Sequence, residues 1–374
     1  MTEQLKEILN RLKTAIKEWK AQKRRIVILV ILMAAVISPF AFSEKLRDNG
    51  WFAGLVGALF FSGFFGVMYV EIKLKDKANR IFKALEEYEE SVRGCLIESK
   101  LTSGGMRKVH FNGKNGIWPG EIVRSGLIHE DEAGQFTSNS YLEGVAAGQR
   151  FRFSYIAKGP DPNKPLWSAV RNGYTGGNLF SGKLWVLTQD GEFPCRVAFI
   201  NDSLRELIML GGQENAWCER DETLEKYEVG NPDLKKAGIC LTDKPNMAKE
   251  VLTPEMEARI LTYIERHPGE AFYISFVKKN IFFFDFLEQP EEEQPLRPHE
   301  IRKNEEPNIV KIISRLRTMV ANGKEESENI SKYLFDILDI FQEDGVMWNR
   351  NEAADVETQS EIDRQLKEVE VLAR

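Results

Sequence analysis

The chain has 374 residues, 43% of them hydrophobic and 29% charged, with 51 Lys and Arg against 57 Asp and Glu and a formal net charge of -6. That balance, the acidic stretch from Glu288 to Glu306, and the lack of a basic, aromatic-interleaved patch beyond the first hundred residues exclude a general nucleic-acid binder. The four cysteines, Cys95, Cys195, Cys218 and Cys240, stand in no paired spacing, so neither a structural disulfide nor a zinc site is expected.

Residues 1–25 place Leu5, Ile8, Leu12, Ile16 and Trp19 at three- and four-residue steps, the stripe of an amphipathic helix. Two apolar runs follow, 26–42 and 51–70. At about 1.5 Å per helical residue the second spans the roughly 30 Å hydrocarbon core of a bilayer, and the first does so if flanking Arg25 and Lys45 snorkel. Residues 26–70 therefore read as a transmembrane hairpin. Basic clusters lie outside the pair, Lys17 to Arg25 before it and Lys73 to Lys83 after it, whereas the turn carries only Lys45 and Arg47 against Glu44 and Asp48. The bias of positive flanks toward the cytoplasm places both termini inside. Two other readings stay open: a signal peptide ending near Ala41-Phe42-Ser43, and a pair of buried helices in a soluble core.

In the second run Ala53 and Gly57, then Ala58, Ser62 and Gly66, recur at four-residue spacing. Gly57, Ser62 and Gly66 are thus candidate helix-packing positions, against the first span or a second copy of the chain. The run continues into a juxtamembrane helix over 71–100, with Ile81, Leu85, Tyr88, Val92 and Leu96 on one stripe. The two stripes suit a short coiled-coil stalk; a first helix lying in the membrane interface, or both stripes docked on the globular part, are the alternatives.

From about Met106 the period changes to two, and residues 101–290 read as a cytoplasmic α+β domain. Phe151, Phe153 and Tyr155 alternate toward one sheet face. The Asp190-Gly191 step predicts a hairpin joining Leu184–Thr188 to Cys195–Ile200. A second hairpin joins Ala271–Val277 to Ile281–Leu287 through Lys278-Lys279-Asn280, with Phe272, Ile274 and Phe276 on one face of their strand and Phe282, Phe284 and Phe286 together on theirs. Before it, Thr253 caps a helix carrying Met256, Ile260, Leu261 and Ile264, which His267-Pro268-Gly269 ends. An acidic, Pro-rich linker covers 291–308, two amphipathic helices joined by Asn322-Gly323-Lys324 cover 309–343, and a charged tail covers 344–374.

Candidate chemistry is sparse. The string Gly177 to Leu184 matches the phosphate-loop pattern except that Leu184 stands where a metal-binding hydroxyl is needed, and the following Trp185-Val186-Leu187 reads as a strand rather than a helix. A glycine-rich turn entering a strand is the simpler expectation. His129-Glu130-Asp131-Glu132 lacks helical metal-ligand spacing, His267 suits a helix C-terminus, and His110 and His299 stand alone. Asp285 reads as a solvent-facing or edge-strand residue. No catalytic, cofactor-binding or metal residue is thereby assigned. The long segment Lys158 to Asn178 is the candidate interaction loop, through Trp167, Arg171 and Tyr174.

The segments Gly144–Tyr155, Phe180–Leu184, Leu224–Val229 and Val251–Met256, with the Phe272–Leu287 hairpin, resemble the bacterial membrane proteins of domain-of-unknown-function family three-one-three-seven over roughly residues 130–290. The resemblance implies a bacterial inner-membrane location and no established activity. The expectation is a two-pass, membrane-anchored, non-enzymatic scaffold whose partners are the bilayer and a protein or second copy, without nucleic acid or cofactor. The alternative is a membrane-tethered enzyme or small-ligand sensor with its site in the α+β domain.

Overall fold

The computed structural model describes residues 2–42, 50–158 except 129, 131–133 and 135, 180–287 except 211–220 and 222, 309–341, and 358–367 except 359, 365 and 366. They divide into two compact units, one of Met1–Arg93, Leu296–Asn322 and Glu357–Arg374, the other of Gly94–Pro295 and Gly323–Val356.

The first unit is helical. The amphipathic start and the first apolar run form one continuous helix, α1 (Thr2–Phe42), and the second run continues without a break into the juxtamembrane segment as α2 (Gly50–Ser103). Their stripes are buried as the spacing requires: Ile8, Leu12, Ile16 and Trp19 on α1, and Ile81, Leu85, Tyr88 and Val92 on α2, are each no more than 5% exposed. Ion pairs join the helices, among them Arg11 Nη1 to Glu87 Oε2 at 3.0 Å and Lys77 Nζ to Glu18 Oε2 at 2.7 Å. The ion pairs place the stripe-bearing stretches of α1 and α2 side by side. Toward the apolar end the pattern inverts, and residues such as Ile31, Phe61 and Phe65 lie 61%, 63% and 65% exposed. Among the described residues one helix, within Gly57–Ser103, is long and apolar enough to cross a membrane.

The second unit is α+β. Its strands are β1 (Arg107–Asn112), β2 (Phe136–Ala146), β3 (Gln149–Lys158), β4 (Phe180–Thr188), β5 (Val197–Asn201), β6 (Glu225–Tyr227), β7 (Gly238–Thr242), β8 (Ala271–Val277) and β9 (Asn280–Leu287). They form one antiparallel sheet in the order β1-β2-β3-β4-β9-β8-β5-β7-β6. The helices are α3 (Pro119–Ser125), α4 (Asp202–Leu210), α5 (Pro232–Ala237), α6 (Pro245–Val251), α7 (Pro254–Arg266) and α8 (Ile309–Phe341). The two faces of the sheet build two cores because strand side chains alternate. Phe151, Phe153, Trp185, Phe272 and Phe283 meet Ile260 of α7 and Leu334, Phe335 and Leu338 of α8 on one face. Leu184, Val186, Phe282 and Phe284 meet Ile122 of α3 and Leu204 of α4 on the other.

The β8–β9 hairpin forms as predicted, with Lys278 at φ 55° in its turn. The predicted β4–β5 hairpin does not form: β9 and β8 lie between those strands. The backbone donors of Gln189 and Phe193, flanking the Asp190-Gly191 step, bond instead to the carbonyls of Lys279 and Lys278, each at 2.7 Å. A turn dipeptide fixes a reversal locally, but two central strands gain more by pairing on both edges with the phenylalanine-rich hairpin than with each other.

The predicted break at Asn322-Gly323-Lys324 is also absent, for α8 is continuous over Ile309–Phe341. A glycine within a helix costs only about 1 kcal/mol, which the apolar stripe on either side of buried Gly323 outweighs. The division between units falls at this glycine, so the sheet unit takes in the second half of the predicted helical pair. On α7 the cap is as expected, Thr253 accepting from the Met256 amide at 3.3 Å, while Glu257 and Tyr263 join Ile260 in its buried face.

Candidate functional site

Among the described residues, a group of titratable side chains meets on the α7–α8 face of the sheet. Strand parity puts Lys183 on the same face as Trp185 and Leu187, and Asp285 on the same face as Ile281 and Phe283; the register sets Lys183 directly opposite Asp285. Asp285 is therefore not an edge or solvent-facing residue: it is 3% exposed on β9, between β4 and β8 in the sheet. Its parity, shared with core residues Ile281 and Phe283, leaves it no route outward.

Lys183 Nζ lies 3.5 Å from Asp285 Oδ2, long for a hydrogen bond, and 3.3 Å from the centre of the Tyr333 ring on α8. Beside this pair, Tyr263 of α7 donates its hydroxyl to Glu270 Oε2 at 3.3 Å. The other oxygen of Glu270 lies 3.1 Å from His267 Nδ1, while His267 Nε2 lies 3.5 Å from Asp336 Oδ2 on α8. The imidazole stacks on Tyr263 with ring centres 4.3 Å apart and faces Tyr333 at 6.3 Å. His267 is at the C-terminus of its helix, as its sequence position suggests, but its contacts join that helix to α8.

Burial drives the ionisation of the group. It pushes the Asp285 carboxyl up to about 6 against the pull of Lys183, and lowers Lys183 against the pull of Asp285 and Glu270. Burial also raises the Tyr333 phenol to about 12 and the Tyr263 phenol further, with Asp285 and Glu270 adding to both. Because the folded carboxyl titrates above its ordinary 3.8, the folded state holds a proton that the unfolded chain releases between those two values. The stability this group contributes is thus greatest below that window and falls as pH rises through it. Relative to Asp285→Asn, the wild type is expected to gain roughly 2 kcal/mol between pH 6.5 and pH 4.5, read by denaturant unfolding at both values. An unchanged difference would contradict the assignment.

The backbone beside the pair is closely packed. A Cβ at Gly182 would collide with the Asp285 carbonyl oxygen and would lie 2.9 Å from the Phe284 ring. Gly182→Ala is expected to cost about 1–3 kcal/mol of stability, seen as a lower unfolding midpoint at unchanged denaturant slope.

The phosphate-loop resemblance resolves into this arrangement. Lys183 lies within β4 and its ammonium faces a carboxylate and a phenol ring. Trp167, Arg171 and Tyr174 lie outside the described residues, as do Cys218, His129, Asp131 and Glu132. Cys95, Cys195 and Cys240 are buried and in no disulfide bond. No group of three or more metal-ligating side chains occurs among the described residues.

The small residues of the apolar helix are placed unevenly. A Cβ at Gly57 would meet nothing within 4 Å, and one at Gly66 would touch Leu29 at 3.9 Å. The Ser62 hydroxyl donates to the Ala58 carbonyl of its own helix at 2.8 Å. Of the glycines on this stretch, Gly63 is the one packed tightly against α1, where a Cβ would come within 2.7 Å of Met33 Sδ. Four-residue spacing selected Ser62 and Gly66 and passed over the glycine between them, which turns 100° further round the helix.

No protein-family profile matches the chain, and no curated protein sequence does. Among solved structures, the crystal structure of the mycobacterial trehalose monomycolate transport factor A, TtfA, matches at 10% identity and a TM-score of 0.30, covering 68% of this chain and 98% of that one. A likeness that slight carries neither fold nor function across.

Proposed function

We propose that this protein is a membrane-anchored, non-enzymatic scaffold, a two-pass helical hairpin in a bacterial inner membrane that presents a cytoplasmic α+β domain to a protein partner or a second copy. The observation that carries the reading is the inversion along α1 and α2: apolar stripes turned inward at one end, and apolar side chains turned outward at the other, where water would penalise them. Basic residues border that outward-facing belt on both helices, from Lys17 to Arg25 and from Lys73 to Lys83, which supports termini on the cytoplasmic side. The resemblance to domain-of-unknown-function family three-one-three-seven fits the same location.

The buried charge cluster suits a structural role within such a scaffold. With the Lys183 side chain 10% exposed, Asp285 4% exposed and Tyr333 over the ammonium, these groups hold α8 against the sheet. The test is mild cross-linking of the full chain in its native membranes, followed by detergent purification and mass spectrometry against a hairpin-only control. A stoichiometric partner or cross-linked dimer is expected; recovery of the monomer alone would defeat the scaffold.

A second reading, a membrane-tethered enzyme or small-ligand sensor, is favoured by one observation. A lysine with a lowered pKa beside a carboxyl with a raised one is the pairing that proton-transfer sites use. Under that reading the Tyr333 ring, 3.3 Å from the Lys183 ammonium, would shield the pair. Tyr333→Ala would then alter the function in cells while leaving partner recovery intact.

A further inference from the structure

We infer that His267 is a proton-operated latch between α7 and α8: with both ring nitrogens protonated it ties Glu270 to Asp336 and holds residues 324–341 of α8 on the sheet, and with one proton it releases Asp336. The inference goes beyond the scaffold reading and does not depend on the membrane anchor. It rests on what surrounds the imidazole. Nδ1 lies 3.1 Å from Glu270 Oε1, and Nε2 lies 3.5 Å from Asp336 Oδ2. An ionised carboxylate only accepts, so each contact calls for a proton on nitrogen, and a neutral imidazole has one proton to give. The shorter contact, to Glu270, keeps it. Nε2 then turns a lone pair toward the Asp336 carboxylate. With the His267 side chain 11% exposed and that of Asp336 9% exposed, little water is present to screen the repulsion.

The aromatic neighbours suit the charged ring as well. Tyr263 stacks on it with centres 4.3 Å apart and Tyr333 lies near-parallel at 6.3 Å, and aromatic faces attract a cation. Among the described residues, the other charged groups on this face are Asp285 of β9, whose carboxyl feels the His267 charge, Lys183 of β4, and Arg266 of α7, which pairs with Asp339 of α8 at 3.5 Å. Setting that last pair aside, one protonation state balances. With Asp285 protonated, Lys183 and doubly protonated His267 face Glu270 and Asp336, two charges against two. Loss of the imidazole proton and ionisation of Asp285 leave Lys183 alone against three carboxylates. The latch is therefore closed at low pH and opens as pH rises through the range in which imidazoles change charge.

The test is hydrogen exchange of the full chain in detergent at about pH 5.5 and about pH 7.5, read by mass spectrometry on peptides from 324–341 and, for reference, from β9. Each rate is scaled to the intrinsic exchange rate at its pH. Opening of the α8 peptides is expected to rise about tenfold at the higher pH beyond any change in β9, the effect of losing one charge-assisted contact. Asp336→Asn should open alike at both values, because its amide donates to a bare Nε2 and its carbonyl accepts from a protonated one. His267→Gln, which does not titrate in this range, should likewise be flat. Asp285→Asn separates the imidazole from the neighbouring carboxyl and should keep the pH dependence. A wild type whose α8 opening does not change, a rise no larger than that of β9, or a dependence that survives in Asp336→Asn or His267→Gln overturns the latch. A dependence lost in Asp285→Asn assigns the effect to that carboxyl and overturns it too.

Discussion

Asp285→Ala is expected to cost about 3–5 kcal/mol of folding free energy, because it leaves the Lys183 ammonium uncompensated within the sheet core. Lys183→Met should cost a comparable amount for the converse reason. The double variant, Lys183→Met with Asp285→Leu, removes both charges and fills the space with apolar volume, so it should recover most of the loss and lie within about 1–2 kcal/mol of the wild type. Denaturant unfolding of the full chain in detergent, followed by tryptophan fluorescence, closes the cycle, and fully buried Trp185 on the same sheet face contributes a core signal among the chain's seven tryptophans. Additive losses would show that the two side chains do not act as a pair. The cycle also bears on the choice between scaffold and enzyme. A double variant that folds stably and still recovers its membrane partner assigns the pair to architecture; one that folds stably and loses function in cells assigns it to chemistry.

How much of this was legible in the sequence depended on how local the deciding physics was. The cap of α7, the face-sharing of Phe151 and Phe153, and the β8–β9 turn all follow from side chains within a few residues of one another, and all three form. The Asp190-Gly191 step looked equally local, but strand neighbours are decided across the sheet, and β9 and β8 occupy the place that β5 was expected to take. Asn322-Gly323 failed for a related reason: a glycine lowers helix propensity by a fixed small amount, whereas burial of Leu316 before it and Leu334 after it favours one helical register throughout.

The charge cluster was hidden because its members are far apart in the chain, from Lys183 to Asp336. One signal was available. Lys183 has the parity of Trp185 and Leu187, and Asp285 that of Ile281 and Phe283, so opposite charges stood at core-facing positions of two predicted strands. Reading Asp285 only against the phenylalanines at the alternate positions made it look exposed. The missing step was to ask what the other face of the sheet packs against, which α7 and α8 answer.

Replacing Phe61 and Phe65 together by arginine is expected to abolish stable membrane insertion. The two residues lie one helical turn apart on α2, 63% and 65% exposed, within the helix that has the length and composition of a span. Each arginine near the centre of a spanning helix costs roughly 2.5–3.5 kcal/mol on insertion scales, and each lost phenylalanine withdraws a few tenths more, giving about 5–8 kcal/mol for the pair. The measurement is alkaline carbonate extraction of membranes from cells expressing each form. The wild type should stay in the pellet and the double arginine variant should be extracted, degraded or aggregated. The opposite physics makes the result decisive: if these helices met water instead of lipid, the same substitutions would remove exposed aromatic surface and raise solubility without moving the protein between fractions. Phe61→Leu with Phe65→Leu keeps apolar character and helix propensity, so it should behave as wild type in the bilayer and separates loss of insertion from loss of a particular aromatic contact.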